Sequence, residues 1–367
     1  MNESVDLLRD LVAIDSTNPT LVPGGAGEAE IAGFVAAWLD RAGLEVSVEE
    51  AAPGRPNVVG RARGRGGGRS LLLNAHTDTV GASGMEAPHT PRIDGDRLFG
   101  RGAYDMKAGL AAAMLAAAEA QRLDLPGDVV IAAVVDEEAE SIGTETLVRG
   151  VDADAAIVTE PTGLDICVAH RGFVWAEIET VGRAAHGSRP DLGVDAIAKM
   201  GPILVELEEL GATLAAGTRH PLLGTGLVHA SMIEGGRELS TYPEQCVLCI
   251  ERRTIPGESA QQVEAELEGL ARGGDVRVTF SRAPLETSSG EPIVEILARQ
   301  TRSAGYEPVL AGAPFWTDAG LLADAGIPSV LFGPGGDGAH AAVEWVDLSD
   351  YERCIRALVA TAAEFCA

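Results

Sequence analysis

The sequence has little positive charge and almost no lysine. Its 367 residues include 28 Lys or Arg against 55 Asp or Glu, the formal net charge is −27, and the only lysines are Lys107 and Lys199. A surface of this kind repels phosphate backbones and anionic lipid headgroups. The composition therefore argues against nucleic acid and against a membrane as partners.

Long apolar runs and a cysteine framework are also missing. No stretch approaches the roughly 18 uninterrupted apolar residues of a membrane-spanning helix, and the acidic start, residues 1–6, lacks the basic segment of a secretion signal. The five cysteines are an odd number. Cys246 and Cys249 lie three apart in an apolar strand pattern, where side chains face opposite sides. We therefore expect ordinary buried thiols in a reducing compartment, the cytoplasm.

What the sequence does contain is an alternation of helix and strand patterns. Residues 5–14 and 28–42 have helical periodicity, and the Ala-rich residues 106–122 are typical of a buried helix. Residues 70–75 and 128–135 are apolar strand patterns. The second is a continuous apolar run, as expected for a parallel strand covered on both faces. These patterns predict an α/β fold with helices on both sides of a sheet.

The pattern changes near residue 171 and changes back near residue 284. Between these points the order is strand, helix, strand, strand, helix, strand, which is typical of a ferredoxin-like α+β unit. Helix–strand alternation then resumes. The sequence therefore predicts one α/β domain, residues 1–170 and 284–367, interrupted by an inserted α+β domain, residues 171–283.

Two histidines follow apolar strand patterns of the predicted α/β domain. In Leu-Leu-Leu-Asn-Ala-His76-Thr-Asp78 the strand runs directly into His-x-Asp. A spacing of two puts both side chains on one face of a strand, so Asp78 could orient the imidazole or share its site. His340 follows another apolar strand and a glycine-rich loop. Either histidine alone is equally compatible with a structural role.

Acidic side chains occupy similar positions. Residues 136–138 are Asp-Glu-Glu at the end of a core strand, and Glu160 follows the strand pattern Ala-Ile-Val-Thr of residues 156–159. Three carboxylates at the end of a core strand repel one another without cations, although on a surface loop they would be solvated charges. Asp105 begins the Ala-rich helix, either as its N-cap or as a carboxylate aimed inward.

Ligands of an open α/β sheet bind outside the carboxyl ends of the strands. Imidazole and carboxylate donors without thiolates suit zinc, cobalt or manganese. With this many acids we expect two divalent metal ions. One carboxylate would bridge them, and another would remain free to take a proton from water.

These motifs, in this order, resemble the metallopeptidase family that contains acetylornithine deacetylase, succinyl-diaminopimelate desuccinylase, aminoacylase and the glutamate-releasing carboxypeptidases. The similarity runs over nearly the whole length. It implies a zinc-exopeptidase-like α/β catalytic domain, and it makes the inserted ferredoxin-like unit a lid and dimerisation domain.

The resemblance also implies a role for each residue of the site. The metal ligands would be His76, Asp105, Glu138, Glu160 and His340. Asp105 would bridge the two ions, Glu137 would be the general base, and Asp78 would hold His76 in place. The Asp105–Met106 peptide bond is implied to be cis.

Four further positions are implied to contact substrate. His186, in the motif Ala-His-Gly-Ser-Arg-Pro, resembles a histidine that reaches a neighbouring subunit's active site and stabilises the oxyanion. Arg253, in preference to its neighbour Arg252, resembles the arginine that binds the substrate carboxylate, a task suited to the bidentate guanidinium. Ser240 stands three residues before Pro243, where many relatives have an asparagine that helps hold the substrate. The loop around Gly335 offers backbone N–H donors.

The implied function is metal-dependent hydrolysis of the amide bond of a small N-acylated amino acid, or of a short peptide, with a free carboxylate. An acetylornithine deacetylase-like deacylase is favoured, and a dipeptidase or carboxypeptidase of the same family is the alternative. A non-catalytic binding protein on this scaffold is disfavoured because every ligand position is filled. A cytoplasmic homodimer that associates through the lid domain is also implied.

Overall fold

The computed structural model describes residues 3–367; residues 1 and 2, part of the acidic start, lie outside the described residues. The chain forms two compact units. Unit 1 comprises Met1–Val168, Thr287–Ala311 and Thr317–Ala367, and unit 2 comprises Ala169–Glu286 and Gly312–Trp316. Within the described residues, no helix combines the length and apolarity that spanning a membrane requires.

The chain first forms an α/β region. In order, its elements are α1 (Glu3–Ala13), α2 (Ala29–Arg41), β1 (Glu45–Ala52), β2 (Arg55–Ala62), β3 (Leu71–His76), β4 (Arg92–Asp94), β5 (Arg97–Phe99), a π-helical turn (Ala103–Lys107), α3 (Ala108–Leu123), β6 (Val129–Val134), α4 (Ile142–Leu147), β7 (Ala155–Val158) and β8 (Ile166–His170).

An α+β region follows. Its elements are β9 (Gly172–Val181), α5 (Ala196–Ala216), β10 (Arg219–His220), β11 (Gly224–Thr225), β12 (Leu227–Gly235), β13 (Gln245–Thr254), α6 (Ala260–Leu270), β14 (Asp275–Arg282) and β15 (Leu285–Glu286). The remaining elements are α7 (Pro292–Ser303), β16 (Leu310–Ala313), α8 (Ala319–Asp324), β17 (Ser329–Leu331), β18 (Gly336–Asp337), β19 (Trp345–Asp347) and α9 (Leu348–Phe365).

The main sheet of unit 1 has the strand order β1-β2-β6-β3-β7-β17-β8. Its central strands β6, β3, β7 and β17 are parallel, whereas β1 and β2 are antiparallel additions at one side. Every residue of β3, β6 and β7 is buried, because the sheet is covered on both faces. The predicted α/β architecture is confirmed, and it brings the carboxyl ends of four parallel strands to one edge.

Helix α3 packs closely against this sheet because its side chains are small. Ala residues make up most of its buried face. Near its start, a Cβ at Gly109 would lie 1.9 Å from the main-chain oxygen of Thr159, so only glycine fits there. This contact brings the residues just before α3 beside the end of β7.

A second sheet in unit 1, with the order β18-β19-β5-β4, has no counterpart in the sequence analysis. Its strands are two or three residues long, too short for a periodic pattern to show. Antiparallel pairing of β5 with β19 places Phe99 opposite Trp345. The segments that precede α3 and follow His340 are thereby joined.

Unit 2 contains an antiparallel sheet with the order β12-β13-β9-β14. Apolar side chains of this sheet and of α5 and α6 form a separate core that includes Ile178, Met200, Leu248 and Leu267. The element order β-α-β-β-α-β is the predicted ferredoxin-like arrangement.

Residues 312–316 lie with unit 2, although the sequence analysis placed them in the first domain. The reason is aromatic packing. The indole of Trp316 lies edge-on to Phe173 at 6.1 Å, and its Nε1 donates to the main-chain oxygen of Ala283 at 3.1 Å.

Candidate metal centre

His76 ends β3 and is almost wholly buried. Its Nε2 lies 3.2 Å from Oδ1 of Asp105 and 3.9 Å from Oε1 of Glu160. One donor atom from each of His76, Glu137 and Glu160 falls within 4.8 Å of the others. Three strand ends therefore bring an imidazole and two carboxylates to one point.

A second group of donors lies on the other side of Asp105. Nε2 of His340 is 3.5 Å from Oδ2 of Asp105 and 3.0 Å from Oε2 of Glu138. Donor atoms of His76, Asp105 and Glu138 also lie within 4.8 Å of one another. Each oxygen of Asp105 thus faces a different histidine, which is the arrangement expected of a carboxylate shared between two ions.

Asp78 connects the strand end of His76 to the loop that carries Glu137 and Glu138. Its carboxylate accepts the backbone N–H of Glu137 at 3.1 Å and that of Glu138 at 3.2 Å. Nδ1 of His76 lies 2.9 Å from the main-chain oxygen of Asp78 and 3.6 Å from its Oδ1. The backbone of Asp78 therefore lies closest to the imidazole, while its side chain holds the glutamate loop.

A buried charged network supports this loop, and the sequence analysis missed most of it. Nδ2 of Asn18 donates to Asp78 at 2.8 Å and to Asp136 at 3.1 Å. Arg55 pairs with Asp136 at 2.6 Å and, from its Nε, with Glu28 at 3.0 Å. Burial opposes the charge of Arg55, but these two carboxylates raise its pKa. No motif marks Arg55 in the sequence, because it begins β2, far along the chain from residues 136–138.

Asp318 is a further buried acid without a motif. It immediately precedes α8, and its Oδ2 accepts a hydrogen bond from the hydroxyl of Thr144 at 2.6 Å. Burial raises the pKa of Asp318 to about 7. Its charge also contributes to raising the pKa values of Glu137 and Glu160. A Thr-Asp pair between two short apolar segments was the available sequence signal.

The protonation of the centre shows how concentrated its negative charge is. Burial, followed by the charge of Glu160, raises the pKa of Glu137 well above its ordinary value. The pKa of Glu160 is likewise raised well above its ordinary value, by burial and then, despite His76, by Asp105 and Glu138. Although burial alone would lower it, the pKa of His76 is raised well above its ordinary value by Asp105 and nearby carboxylates. Hydrogen bonds to Asp105 and Glu138 raise the pKa of His340 to about 10.

These features fit divalent cations. Buried carboxylates at this density cannot all ionise without nearby positive charge, and Oε1 of Glu160 is buried without a hydrogen-bond partner. Imidazole nitrogen and carboxylate oxygen are the donors that zinc, cobalt and manganese accept. The histidine and carboxylate side chains of this centre therefore fit a zinc, cobalt or manganese site.

The remaining candidate residues lie in unit 2, except for Gly335. His186 is exposed, and its Nδ1 lies 2.8 Å from the hydroxyl of Ser188 and accepts that residue's backbone N–H at 3.2 Å. Ser240 is next to it, since its main-chain oxygen accepts from Gly187 at 2.7 Å. The structure thus brings His186 and Ser240 together within one unit.

Arg252 and Arg253 differ sharply although they are neighbours on β13. Arg252 is fully buried and pairs with Glu258 at 2.8 Å and with Glu266 at 3.3 Å. The side chain of Arg253 is 31% exposed, pairs with Glu251 at 2.9 Å and lies over the ring of Phe173. Of these two neighbours, Arg253 is therefore the one whose guanidinium is accessible to solvent.

Gly335 lies in unit 1, after β17. It is buried, and its main-chain oxygen accepts from Asp347 at 2.8 Å. A Cβ at this position would lie 2.4 Å from Oδ2 of Asp350. A larger residue here would displace the Asp350 carboxylate, so glycine allows this loop to pack against the start of α9.

Comparison with known proteins identifies the family. The sequence profile described as Peptidase family M20/M25/M40 matches residues 72–364. The chain belongs to this family. It is a hydrolase, as the resemblance of the motifs implies, and the Asp105–Met106 peptide bond is cis, as also implied.

The similarity to individual relatives covers nearly the whole length of the chain. The chain is 33% identical to an acetylornithine deacetylase of Myxococcus xanthus, with 98% of this chain and 96% of the relative covered. It is 29% identical to an N-formyl-4-amino-5-aminomethyl-2-methylpyrimidine deformylase of Bacillus subtilis, over 94% of this chain and 90% of the relative. The crystal structure of aminopeptidase PepT from Bacillus cereus superposes with a TM-score of 0.82 at 21% identity, over 99% of this chain and 98% of that chain. The last likeness shows the fold alone.

Proposed function

We propose that the protein is a two-metal amidohydrolase that removes the acyl group from small N-acylated amino acids with a free carboxylate. The observation that carries the proposal is the position of Asp105, whose two oxygens face His76 at 3.2 Å and His340 at 3.5 Å. Such a carboxylate suits two ions better than one. Zinc is the expected metal, and cobalt or manganese would also fit these donors.

The ligands would be His76, Asp105, Glu138, Glu160 and His340. When bound, the two ions would supply Lewis-acid chemistry, which polarises the amide carbonyl and makes water acidic enough to be deprotonated near neutral pH. All other steps belong to side chains of the protein.

Glu137 is the proposed general base. It lies in the first donor group beside His76 and Glu160, and its backbone N–H is fixed by Asp78. Its carboxylate takes one proton from the attacking water and then delivers it to the nitrogen of the leaving amine. Cleavage of the C–N bond thus yields the free amino acid and the carboxylic acid of the acyl group, whose remaining proton passes to the amine or to solvent. Glu137 has no net gain or loss of protons.

His186 is the proposed donor to the tetrahedral oxyanion. Because its Nδ1 accepts the N–H of Ser188, the neutral ring carries its proton on Nε2. An exposed imidazole N–H is thereby available to an oxygen atom. We infer that it acts in a neighbouring subunit's site, while Arg253 binds the substrate carboxylate, and Ser240 and the loop around Gly335 contribute to substrate binding.

We further infer a homodimer formed through unit 2. Strand β12 lies at the edge of its sheet, and nearly all of its residues are exposed. Met232 and Ile233 on this strand and Val205 on α5 are large apolar side chains at the surface. An open strand edge bordered by such side chains is a natural surface for pairing with a second copy.

Cytoplasmic location is also proposed, on the evidence of the cysteines. Cys246 is buried and Cys249 half-buried on β13, and the chain's five cysteines are free thiols. Free thiols of this kind are typical of a reducing compartment.

A peptidase is the alternative, because the family to which the chain belongs is described as a peptidase family. The two functions can be separated by measuring kcat/KM for N-acetyl, N-formyl and N-succinyl amino acids and for dipeptides with the same C-terminal residue. We expect the best N-acyl substrate to exceed the matching dipeptide by at least about tenfold, since one misfitting group in a pocket costs about that much. Preference for dipeptides across the panel would favour the peptidase and overturn the deacylase.

A further inference from the structure

Glu344, a residue with no assigned role, has an unusual environment next to the metal centre. Its side chain is completely buried and accepts hydrogen bonds from four N–H groups. Oε1 accepts the backbone N–H of Tyr104 at 2.9 Å and of Asp105 at 3.0 Å. Oε2 accepts that of Gly102 at 3.0 Å and a guanidinium N–H of Arg101 at 2.6 Å.

This hydrogen bonding shows that Glu344 is not itself a ligand. A carboxylate offers about four lone-pair sites, and four donors already occupy them. Glu160 is the opposite case, because its buried Oε1 has no hydrogen-bond partner among the described residues and could therefore coordinate a cation. Both carboxylates are buried, yet of the two only Glu160 has an oxygen that accepts no hydrogen bond within residues 3–367.

Arg101, which donates to Glu344, also donates to the loop that carries His340. Its Nη2 donates to the main-chain oxygen of Ala341 at 2.9 Å and to that of Gly81 at 3.1 Å. Glu344 itself directly precedes β19, whose pairing with β5 fixes its place. The ion pair of Arg101 with Glu344 therefore joins the segment before α3 to the segment after His340.

We propose that Glu344 is a positioning residue for the metal pair. By holding the backbone N–H of Asp105, it sets the carboxylate of Asp105 between His76 and His340, and through Arg101 it sets the His340 loop at the matching distance. The proposal rests on the two-metal site of the proposed function. Residues that orient metal ligands typically change metal affinity by about 10- to 100-fold when substituted.

The test is Glu344→Gln, which keeps the shape but places an NH₂ group against N–H donors. Metal-free protein is titrated with Co²⁺, and binding is followed both by visible absorption and by competition with a chromophoric chelator. We expect two Co²⁺ per chain in the wild type, an affinity lower by about 10- to 100-fold for at least one ion in the variant, and a changed absorption band. A purely structural role would lower the melting temperature of the metal-free protein and leave these readouts unchanged.

Asp128→Asn is the matched control. Asp128 also pairs with an arginine, Arg61, at 2.6 Å and accepts a backbone N–H, that of Gly64, at 2.8 Å. It directly precedes β6, at the end of that strand opposite the metal centre. The Co²⁺ affinity of the Asp128→Asn variant should equal that of the wild type.

Glu344→Asp covers the case in which Glu344→Gln does not fold. The shorter carboxylate keeps its charge but cannot reach all four donors, so Co²⁺ affinity should still fall. A folded variant at residue 344 with two Co²⁺ bound at wild-type affinity overturns the inference. Wild-type protein that binds no Co²⁺ would instead overturn the proposed function, and this inference with it.

Discussion

Unit 1 and unit 2 hold their candidate functional residues in opposite ways. In unit 1, His76, Asp105 and Glu160 are buried or nearly so, and their neighbours are fixed by charged networks. In unit 2, His186 is exposed on a loop, and its Nδ1 is hydrogen-bonded to Ser188, two residues away. Arg253 is about one-third exposed.

The difference separates two tasks. Metal ligands must be held in place before the ion arrives, because a loose ligand set binds metal weakly. Groups that contact substrate gain from exposure, because they have to meet a molecule that arrives from solvent or, for His186, a second subunit. Burial with dense hydrogen bonding is therefore typical of residues that hold a metal. Exposure of a hydrogen-bond donor is typical of residues that contact substrate.

The largest effect on turnover is expected from Glu137→Ala, which removes the proposed general base of unit 1 but none of the proposed metal ligands. Loss of a general base typically costs about 10²- to 10⁴-fold in rate, whereas metal content should remain at the wild-type value. Turnover of the best N-acyl substrate and elemental analysis of the same sample provide the measurement. Glu140→Gln, at an exposed acid of the same loop, is the control. Retention of most activity by Glu137→Ala would refute its role.

The next largest effect is expected from His186→Ala in unit 2. Removal of one oxyanion donor costs about 10²- to 10³-fold in kcat, and because this residue is outside unit 1, metal binding should not change. Steady-state kinetics and a metal count test both statements. A variant with unchanged kcat would exclude the oxyanion role.

Mixing His186→Ala with Glu137→Ala tests whether His186 acts across a dimer. Each variant alone is inactive, but a mixed dimer would contain one complete site. Random exchange of equal amounts should restore up to about one quarter of the wild-type sites, since half of the dimers are mixed. If the subunits exchange and no activity returns, His186 does not act in the neighbouring subunit.

A smaller effect is expected from Arg253→Met. Loss of a charge-assisted contact to the substrate carboxylate should reduce kcat/KM by about 10- to 100-fold. With a substrate whose carboxylate is replaced by a carboxamide, wild type and variant should be nearly equal. An identical loss on both substrates would show that Arg253 does not read the carboxylate.

The smallest effect on turnover is expected from Arg55→Met, which removes the guanidinium from the buried charged network of unit 1. Glu28 and Asp136 would remain buried without their counter-charge, so the free energy of unfolding should fall by about 3–5 kcal/mol and metal affinity by about tenfold. Arg252→Met breaks a comparable buried pair in unit 2 and should leave metal affinity unchanged. Equal metal affinity in Arg55→Met and Arg252→Met would show that the buried network around Arg55 does not support the metal ligands.

The two units also differ in how much the sequence revealed. His76, Glu138 and Glu160 could be brought together from the sequence because each lies just after an apolar strand, and parallel strands bring their carboxyl ends to one edge. Asp105, which precedes α3, and the complete ligand set rest on the family resemblance. The ferredoxin-like order of unit 2 could be predicted for a similar reason, since its elements are long and strongly periodic.

The supporting residues could not be predicted in this way. Arg55 begins β2, Glu344 precedes the short strand β19, and Asp318 precedes the short helix α8. Each meets its partners through contacts between residues far apart in the chain. Local patterns carry no record of such contacts. The role of the Asp78 side chain was missed for the same reason, because its contacts are the backbone N–H groups of residues 137 and 138.

Metal stoichiometry paired with activity tests the central claim most directly. Purified protein is depleted with a chelator, reconstituted with increasing Zn²⁺, and assayed for metal per chain and for hydrolysis of an N-acetyl amino acid at each step. The account predicts two tightly bound ions per chain and hydrolysis that is lost on chelation and restored with the metal. Hydrolysis that persists in protein free of metal, or a chain that binds no metal after reconstitution, would contradict it.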